Sequence, residues 1–292
     1  MGKAIPLQDE GPAFSLAVII TVNARRQLRD LTTDTEVFMK YLIALFLSLL
    51  LSGASFAGIV DARAESTDND AGLEGFLVYD DSLTKPAPGV LVFHEWWGLG
   101  DYAMSRSRQL AAIGYVAFAA DVYGKGIRPT DREAAGKESG KYMKNRALLR
   151  SRASAGLEAL KKSKLVDIER TAAIGYCFGG AAALELGRSG APVAAIVTFH
   201  AVINTPTPED ARNIKGSVLV LHGGADPFVK PMEVLAFQEA MEKSGVDWQF
   251  TSYGGAVHGF TNQANGADPS DGLAYQEKAD RRSWEAMKDF LN

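Results

Sequence analysis

Thr171-Ala-Ala-Ile-Gly175-Tyr-Cys177-Phe-Gly179-Gly180 is the stretch that decides the fold. Residues 171–176 form a short apolar run, the pattern of a strand buried on both faces. Residues 181–187 are rich in Ala and Leu and read as a helix. The chain has to turn sharply between the two. Side chains at 175 and 179 would meet neighbouring backbone, which explains the two glycines. The pattern is that of a nucleophile elbow, Gly-x-Ser-x-Gly, with sulfur in place of oxygen. Such a turn lifts Cys177 clear of the sheet and sets it at a helix N-terminus, where the dipole favours negative charge. The amide of Phe178 is then free to donate to an oxyanion. The plain alternative is a Gly-rich helix start around a small, inert, buried cysteine.

Outward from this turn the chain alternates. Strands are predicted at 73–79, 89–94, 115–122, 171–176, 194–199, 217–222 and 248–253. Helices are predicted at 102–113, over 131–163 as one or two, and at 181–187, 231–245 and 275–291. Strand, helix, strand, repeated, implies an α/β protein with a mostly parallel sheet and helices on both faces. Reactive groups in such sheets gather at the carboxyl ends of the strands.

Two other strand ends carry chemistry. Leu221-His222-Gly223-Gly224-Ala225-Asp226-Pro227 places an acid just beyond a buried strand. Asp226 there would hold a histidine in one tautomer and stabilise its imidazolium. Taken alone, an Asp before Pro is an ordinary turn. Gly254-Gly255-Ala256-Val257-His258-Gly259-Phe260 places His258 in a loop after the last strand, as a general base or as a plain surface histidine. The order Cys, Asp, His is that of the α/β-hydrolase triad, and the order and placement together favour the catalytic reading. His94-Glu95-Trp96-Trp97-Gly98 ends an early strand, where this fold takes its second oxyanion amide. That amide is placed at Trp96, with Glu95 the alternative, and Trp97 is a candidate pocket wall. His200 and His222 lie in or at apolar strands and read as structural. Residues 203–216 are too few for a helical lid domain between two strands, so an open site is expected.

The 292 residues carry a formal net charge of -4 with no basic block, which excludes a nucleic-acid footprint. A single cysteine excludes an internal disulfide and a cysteine-rich zinc site. No metal or cofactor is expected. Met39-Lys40, an apolar run over 41–51 and Ser55-Phe56-Ala57 read as a signal peptide over 39–64, cleaved after Ala57 or, alternatively, after Ala64. Residues 1–38 then read as an upstream extension or start-site artefact, 65–72 as a polar linker and 73–292 as the catalytic domain. The run is short for a membrane span, so the expectation is a periplasmic or secreted protein; an uncleaved membrane anchor is the alternative.

The segments GYCFGG, HEWWG, HGGADP and AVHGF resemble those of the dienelactone hydrolase family, over residues 73–292. The resemblance implies cleavage of a small ester or lactone through an acyl-cysteine intermediate, with no cofactor. It implies a further role for Glu95, matching the glutamate that contacts the resting cysteine and controls its ionisation. Family members that take dienelactone bind its carboxylate with two arginines. Their positions here are Lys125, which keeps the charge but loses bidentate geometry, and Asn262, which is neutral. These are the expected substrate-binding residues, beside Trp97. A thioesterase or peptidase with the same triad, or a silent binding protein around an inert Cys177, are the rival readings; oligomeric state is left open.

Overall fold

Strand β5 (Val166–Tyr176) runs through the middle of the sheet and delivers Cys177 at its carboxyl end. The computed structural model describes residues 58–68 and 71–292. Within them the strands are β1 (Ile59–Asp68), β2 (Ala71–Asp80), β3 (Ala87–Phe93), β4 (Val116–Ala120), β5, β6 (Ala195–Phe199), β7 (Ser217–Gly223) and β8 (Trp248–Tyr253). They form one sheet in the order β1-β2-β4-β3-β5-β6-β7-β8. β3 pairs parallel with β4 and β5, and β5 to β8 pair parallel in turn. β1 and β2 add an antiparallel edge.

The helices are α1 (Asp101–Ala111), α2 (Arg132–Lys144), α3 (Arg146–Lys161), α4 (Phe178–Arg188), α5 (Pro231–Ser244) and α6 (Glu277–Leu291). Strand alternation sends Leu91 and Phe93 to the face covered by α3 and α4, where Leu149, Leu157 and Leu184 are buried. Val90 and Val92 point to the other face, against Leu110 of α1 and Met287 of α6. A strand covered on both sides has to be apolar throughout, which is why these runs are readable in the sequence. The fold is an α/β-hydrolase fold. Between β6 and β7 the chain forms a short 3-10 turn at Pro208–Asn213 and no lid domain.

The helical stretch over 131–163 divides at Asn145, whose side chain accepts a 3.0 Å hydrogen bond from the Leu148 amide and starts α3. The larger departure is at the edge. Of the residues 65–72 read as a linker, 65–68 lie in β1 and 71–72 in β2, and β1 also takes residues 59–64 from the segment read as a leader. Ten consecutive residues of β1 pair with β2, from Ile59 opposite Asp80 to Asp68 opposite Ala71. β1 alternates exposed and half-buried positions along its whole length, so its polar composition carries no core signal. Cleavage after Ala64 would cut this strand; cleavage after Ala57 leaves it whole. Residues 1–38 and the apolar run at 41–51 lie outside the described residues. No described helix is long and apolar enough to cross a membrane.

Candidate active site

The turn after β5 is built by close approach. A Cβ at Gly175 would stand 2.0 Å from the Gly179 carbonyl oxygen, and one at Gly179 would stand 2.5 Å from the carbonyl oxygens of Phe93 and His94. Only glycine fits either place. Cys177 itself adopts φ 55°, ψ -119°, uncommon for a residue with a side chain. The conformation is held by its amide, which donates to the Phe199 carbonyl at 3.0 Å, and by its carbonyl, which accepts from the Gly180 amide at 3.0 Å. The thiol ends half-buried at the start of α4. Phe178 is the first residue of that helix, so its amide is one of the donors without an intrahelical acceptor.

Asp226 follows β7 and His258 follows β8, and the fold brings them together from 32 residues apart. Nδ1 of His258 lies 2.7 Å from Oδ2 of Asp226, both buried. The other carboxylate oxygen of Asp226 accepts from the Phe228 amide at 2.9 Å, which fixes its orientation. His258 also hydrogen-bonds to the side chain of Cys177. Burial alone would pull the imidazole pKa down. Negative charge on Cys177, the hydrogen bonds to Asp226 and Cys177 and the charge of Asp226 outweigh it and push His258 up to about 10. The loop is pinned by a bridge to Leu273: the His258 amide donates to Gly272 at 3.1 Å and its carbonyl accepts from Ala274 at 3.2 Å.

Cys177 and His258 line a cavity of about 300 Å³, with Trp96, Trp97, Phe228 and Leu273 as its large apolar walls. The carbonyl of Trp96 accepts from the Tyr123 hydroxyl at 2.9 Å, anchoring this loop over the elbow. Trp96 and Trp97 pack edge to face with ring centroids 5.1 Å apart. Glu95 is buried in the same cavity, and burial pushes its carboxyl up against the pull of Asn262, His258 and Arg106. Its Oε2 accepts a 2.7 Å hydrogen bond from Asn262 Nδ2.

Two expected substrate-binding residues have other duties. Lys125 is not among the residues lining the cavity of Cys177; its ammonium pairs with Glu65 Oε1 at 2.6 Å. The partner lies on β1, the strand that composition hides. Asn262 lines a neighbouring depression of about 560 Å³, not the cysteine cavity, and holds Glu95. Residues the sequence reading missed include Phe228, whose ring stands edge-on to His258 at 5.4 Å, and Arg132, whose guanidinium pairs with Asp271 at 2.9 Å at the rim. Phe228 had a signal, an aromatic two residues after a strand-end acid. Arg132 had none, since it sits in a helix rich in surface charge. No group of three or more potential metal-ligating side chains occurs among the described residues.

The arrangement has close counterparts. A solved structure named m3DLH is 43% identical, superposes with a TM-score of 0.77 and is covered over 97% of its length by 80% of this chain. A dienelactone hydrolase-like promiscuous phosphotriesterase from metagenomic libraries is 40% identical, with the same TM-score and coverage. A protein of Aquifex aeolicus (strain VF5), named as a proposed carboxymethylenebutenolidase, is 30% identical over 70% of this chain and 87% of its own. Residues 73–292 match the model of the dienelactone hydrolase family. Fold, elbow and cavity thus agree with sequence kinship: the chain belongs to the dienelactone hydrolase family and is a hydrolase of the ester- and lactone-cleaving kind.

Proposed function

We propose that this protein cleaves small, uncharged carboxylic esters or lactones through an acyl-cysteine intermediate formed on Cys177, with His258 and Asp226 as its partners. The observation that carries the reading is the imidazole of His258, hydrogen-bonded to Asp226 and lining one apolar cavity with Cys177, which acts on its titration. The thiol proton passes to His258, and the sulfur anion attacks the carbonyl carbon. A C–S bond forms, and the oxyanion is met by the amides of Phe178 and Trp96. The C–O bond then breaks, and His258 gives its proton to the departing alcohol.

Acylation removes the negative charge from sulfur, and with it the main influence that keeps His258 protonated. Burial then lowers the pKa, so the same imidazole takes a proton from water. Hydroxide attacks the thioester, the C–S bond breaks and the acid leaves. One histidine serves both half-reactions because its charge follows that of the sulfur.

Preference for an uncharged substrate rests on the cations. Lys125 is paired with Glu65, position 262 is a neutral amide and Arg132 is paired with Asp271. The phosphotriesters named for the 40% identical relative are also uncharged, and they belong in the same substrate panel. The test is turnover of neutral aryl and alkyl esters, lactones and phosphotriesters beside carboxylate-bearing esters, with mass spectrometry of quenched enzyme. The expected result is faster turnover of the neutral set and an acyl adduct on Cys177. Equal turnover by Cys177→Ala would overturn the mechanism; preference for the anionic esters would overturn the substrate class. For export, cleavage after Ala57 is the reading we retain because it spares β1, and N-terminal sequencing of the mature protein tests it.

A further inference from the structure

We propose that Thr261 and His200 are positioning residues for His258, joined to Tyr102 and Arg106 in a buried hydrogen-bonded line that fixes where the imidazole stands. The proposal rests on the catalytic reading of His258 given above.

His200 follows β6 and has a left-handed backbone, φ 40°, an uncommon and costly conformation for a residue with a side chain. The amide of His200 donates to Leu221 at 2.8 Å, which holds that conformation. Its side chain is fully buried, and burial keeps the imidazole neutral, its pKa well below the usual value, with the nearby His258 acting in the same direction. Such a residue is expensive in a core, where an apolar ring would fill the same space without losing water contacts. Two contacts account for it. Nε2 lies 2.7 Å from Oγ1 of Thr261. The ring stands edge-on to both His258 and Phe260, with centroids 5.3 Å away in each case.

Thr261 is three residues beyond His258 in the same loop and is held from a second side. Its Oγ1 is 2.5 Å from the Tyr102 hydroxyl on α1. That hydroxyl accepts from Arg106 Nε at 3.2 Å, and Arg106 Nη2 donates to the Thr261 carbonyl at 2.7 Å. Arg106 is buried among the rings of Tyr102, Tyr176 and Trp284 and pairs with Asp280 on α6 at 2.5 Å. The line therefore ties α1, α6 and the end of β6 to the loop that carries His258. A hydrogen-bond chain of this kind constrains position because each group has one partner geometry that satisfies it. The charged and titratable groups that act on His258 itself are Cys177, Asp226, Glu95, His200 and His222, from the ends of β5, β7, β3 and β6 and from β7 itself.

The experiment compares the parent with Thr261→Val, Thr261→Ser and Tyr102→Phe on one neutral ester, with His258→Ala alongside. Valine keeps the shape of threonine and removes the hydroxyl. The expected result is a kcat lower by about 10- to 100-fold, the cost of a small misplacement of a reacting group, with KM within about twofold. The alkaline limb of the pH profile is expected to move to lower pH, because a loosened imidazole loses contact with Cys177. Thr261→Ser restores both. Tyr102→Phe removes the hydroxyl from a different element and gives a smaller change in the same direction; it decides the matter if Thr261→Val does not fold. Parent kcat and parent alkaline limb in Thr261→Val, or in Tyr102→Phe where that variant decides, with His258→Ala inactive, overturn this proposal alone. Activity retained in His258→Ala overturns the catalytic reading beneath it.

Discussion

The two ends of α4 handle polar groups in opposite ways. At its start, Cys177 is half-buried in a strained turn and lines the cavity. Near its other end, the same helix is closed off by charge. Glu185 is fully buried, with Arg150 Nε at 2.7 Å, Arg188 Nη1 at 2.9 Å and Arg146 Nη1 at 3.9 Å. Arg150 reaches on to Asp210 at 2.5 Å, tying α3 to the 3-10 turn before β7. One end presents a thiol to a cavity; the other satisfies a buried carboxylate and ties the helix to its neighbours. A preorganised site needs both, because strain at the reactive end persists only if the surroundings hold it.

That contrast is broken most sharply at the reactive end. Cys177→Ala and His258→Ala are each expected to lower kcat/KM for a neutral ester by at least about a thousandfold, while thermal unfolding stays within a few degrees of the parent. A large fall in unfolding temperature for both would mean that these residues are structural. At the other end the effects reverse. Glu185→Ala leaves three guanidinium groups without their shared partner and is expected to cost about 3–5 kcal/mol of stability. Chemical denaturation measures the loss, and kcat per folded molecule stays near the parent value. Loss of kcat without loss of stability would show that Glu185 reaches the chemistry.

The pH dependence sharpens the same contrast. The pKa of His258 is raised from 6.5 to about 10 by its partners, against the effect of burial. A group raised on folding stabilises the native state fully below its unfolded value, and that contribution fades as pH rises towards 10. The imidazole proton that the proposed mechanism uses is lost over the same range. The alkaline limb of kcat/KM is therefore expected near pH 10, and Asp226→Asn is expected to bring it down. A limb near 6.5 in the parent would show that the imidazole is not paired with charge.

Much of this was legible. The strands β3, β6 and β7 and residues 171–176 of β5 are buried almost throughout, so they read as apolar runs, and chemistry-bearing residues follow them. Cys177 and Asp226 follow two of these runs; His258 follows the half-exposed β8 and was singled out by the order Cys, Asp, His. What was not legible depends on partners distant in sequence. β1 alternates exposed and half-buried residues, so its first part reads as leader and its last four residues as linker; with it went the pairing of Glu65 with Lys125. Glu185 and its arginines carried no signal in the sequence, because they meet only where α3 packs on α4. Asn262 was expected to meet substrate, yet its partner Glu95 lies 167 residues away.

The smallest expected effect lies at the rim, where Arg132 and Asp271 line both the cysteine cavity and the wider depression beside it. Both side chains are about half exposed or more, so their pairing adds little stability. What it does is cancel charge. Arg132 is the one arginine or lysine among the described residues that line the cysteine cavity, and Asp271 occupies its guanidinium. Asp271→Ala uncovers that cation without touching Cys177, His258 or Asp226. The ratio of kcat/KM for a carboxylate-bearing ester to that for its neutral counterpart is expected to rise by several-fold, up to about tenfold, with unfolding unchanged. The double variant with Arg132→Ala returns the ratio to the parent value. If Asp271→Ala leaves the ratio where it was, exclusion of anions does not come from this pair, and the apolar walls of Trp96, Trp97 and Phe228 carry the preference by themselves.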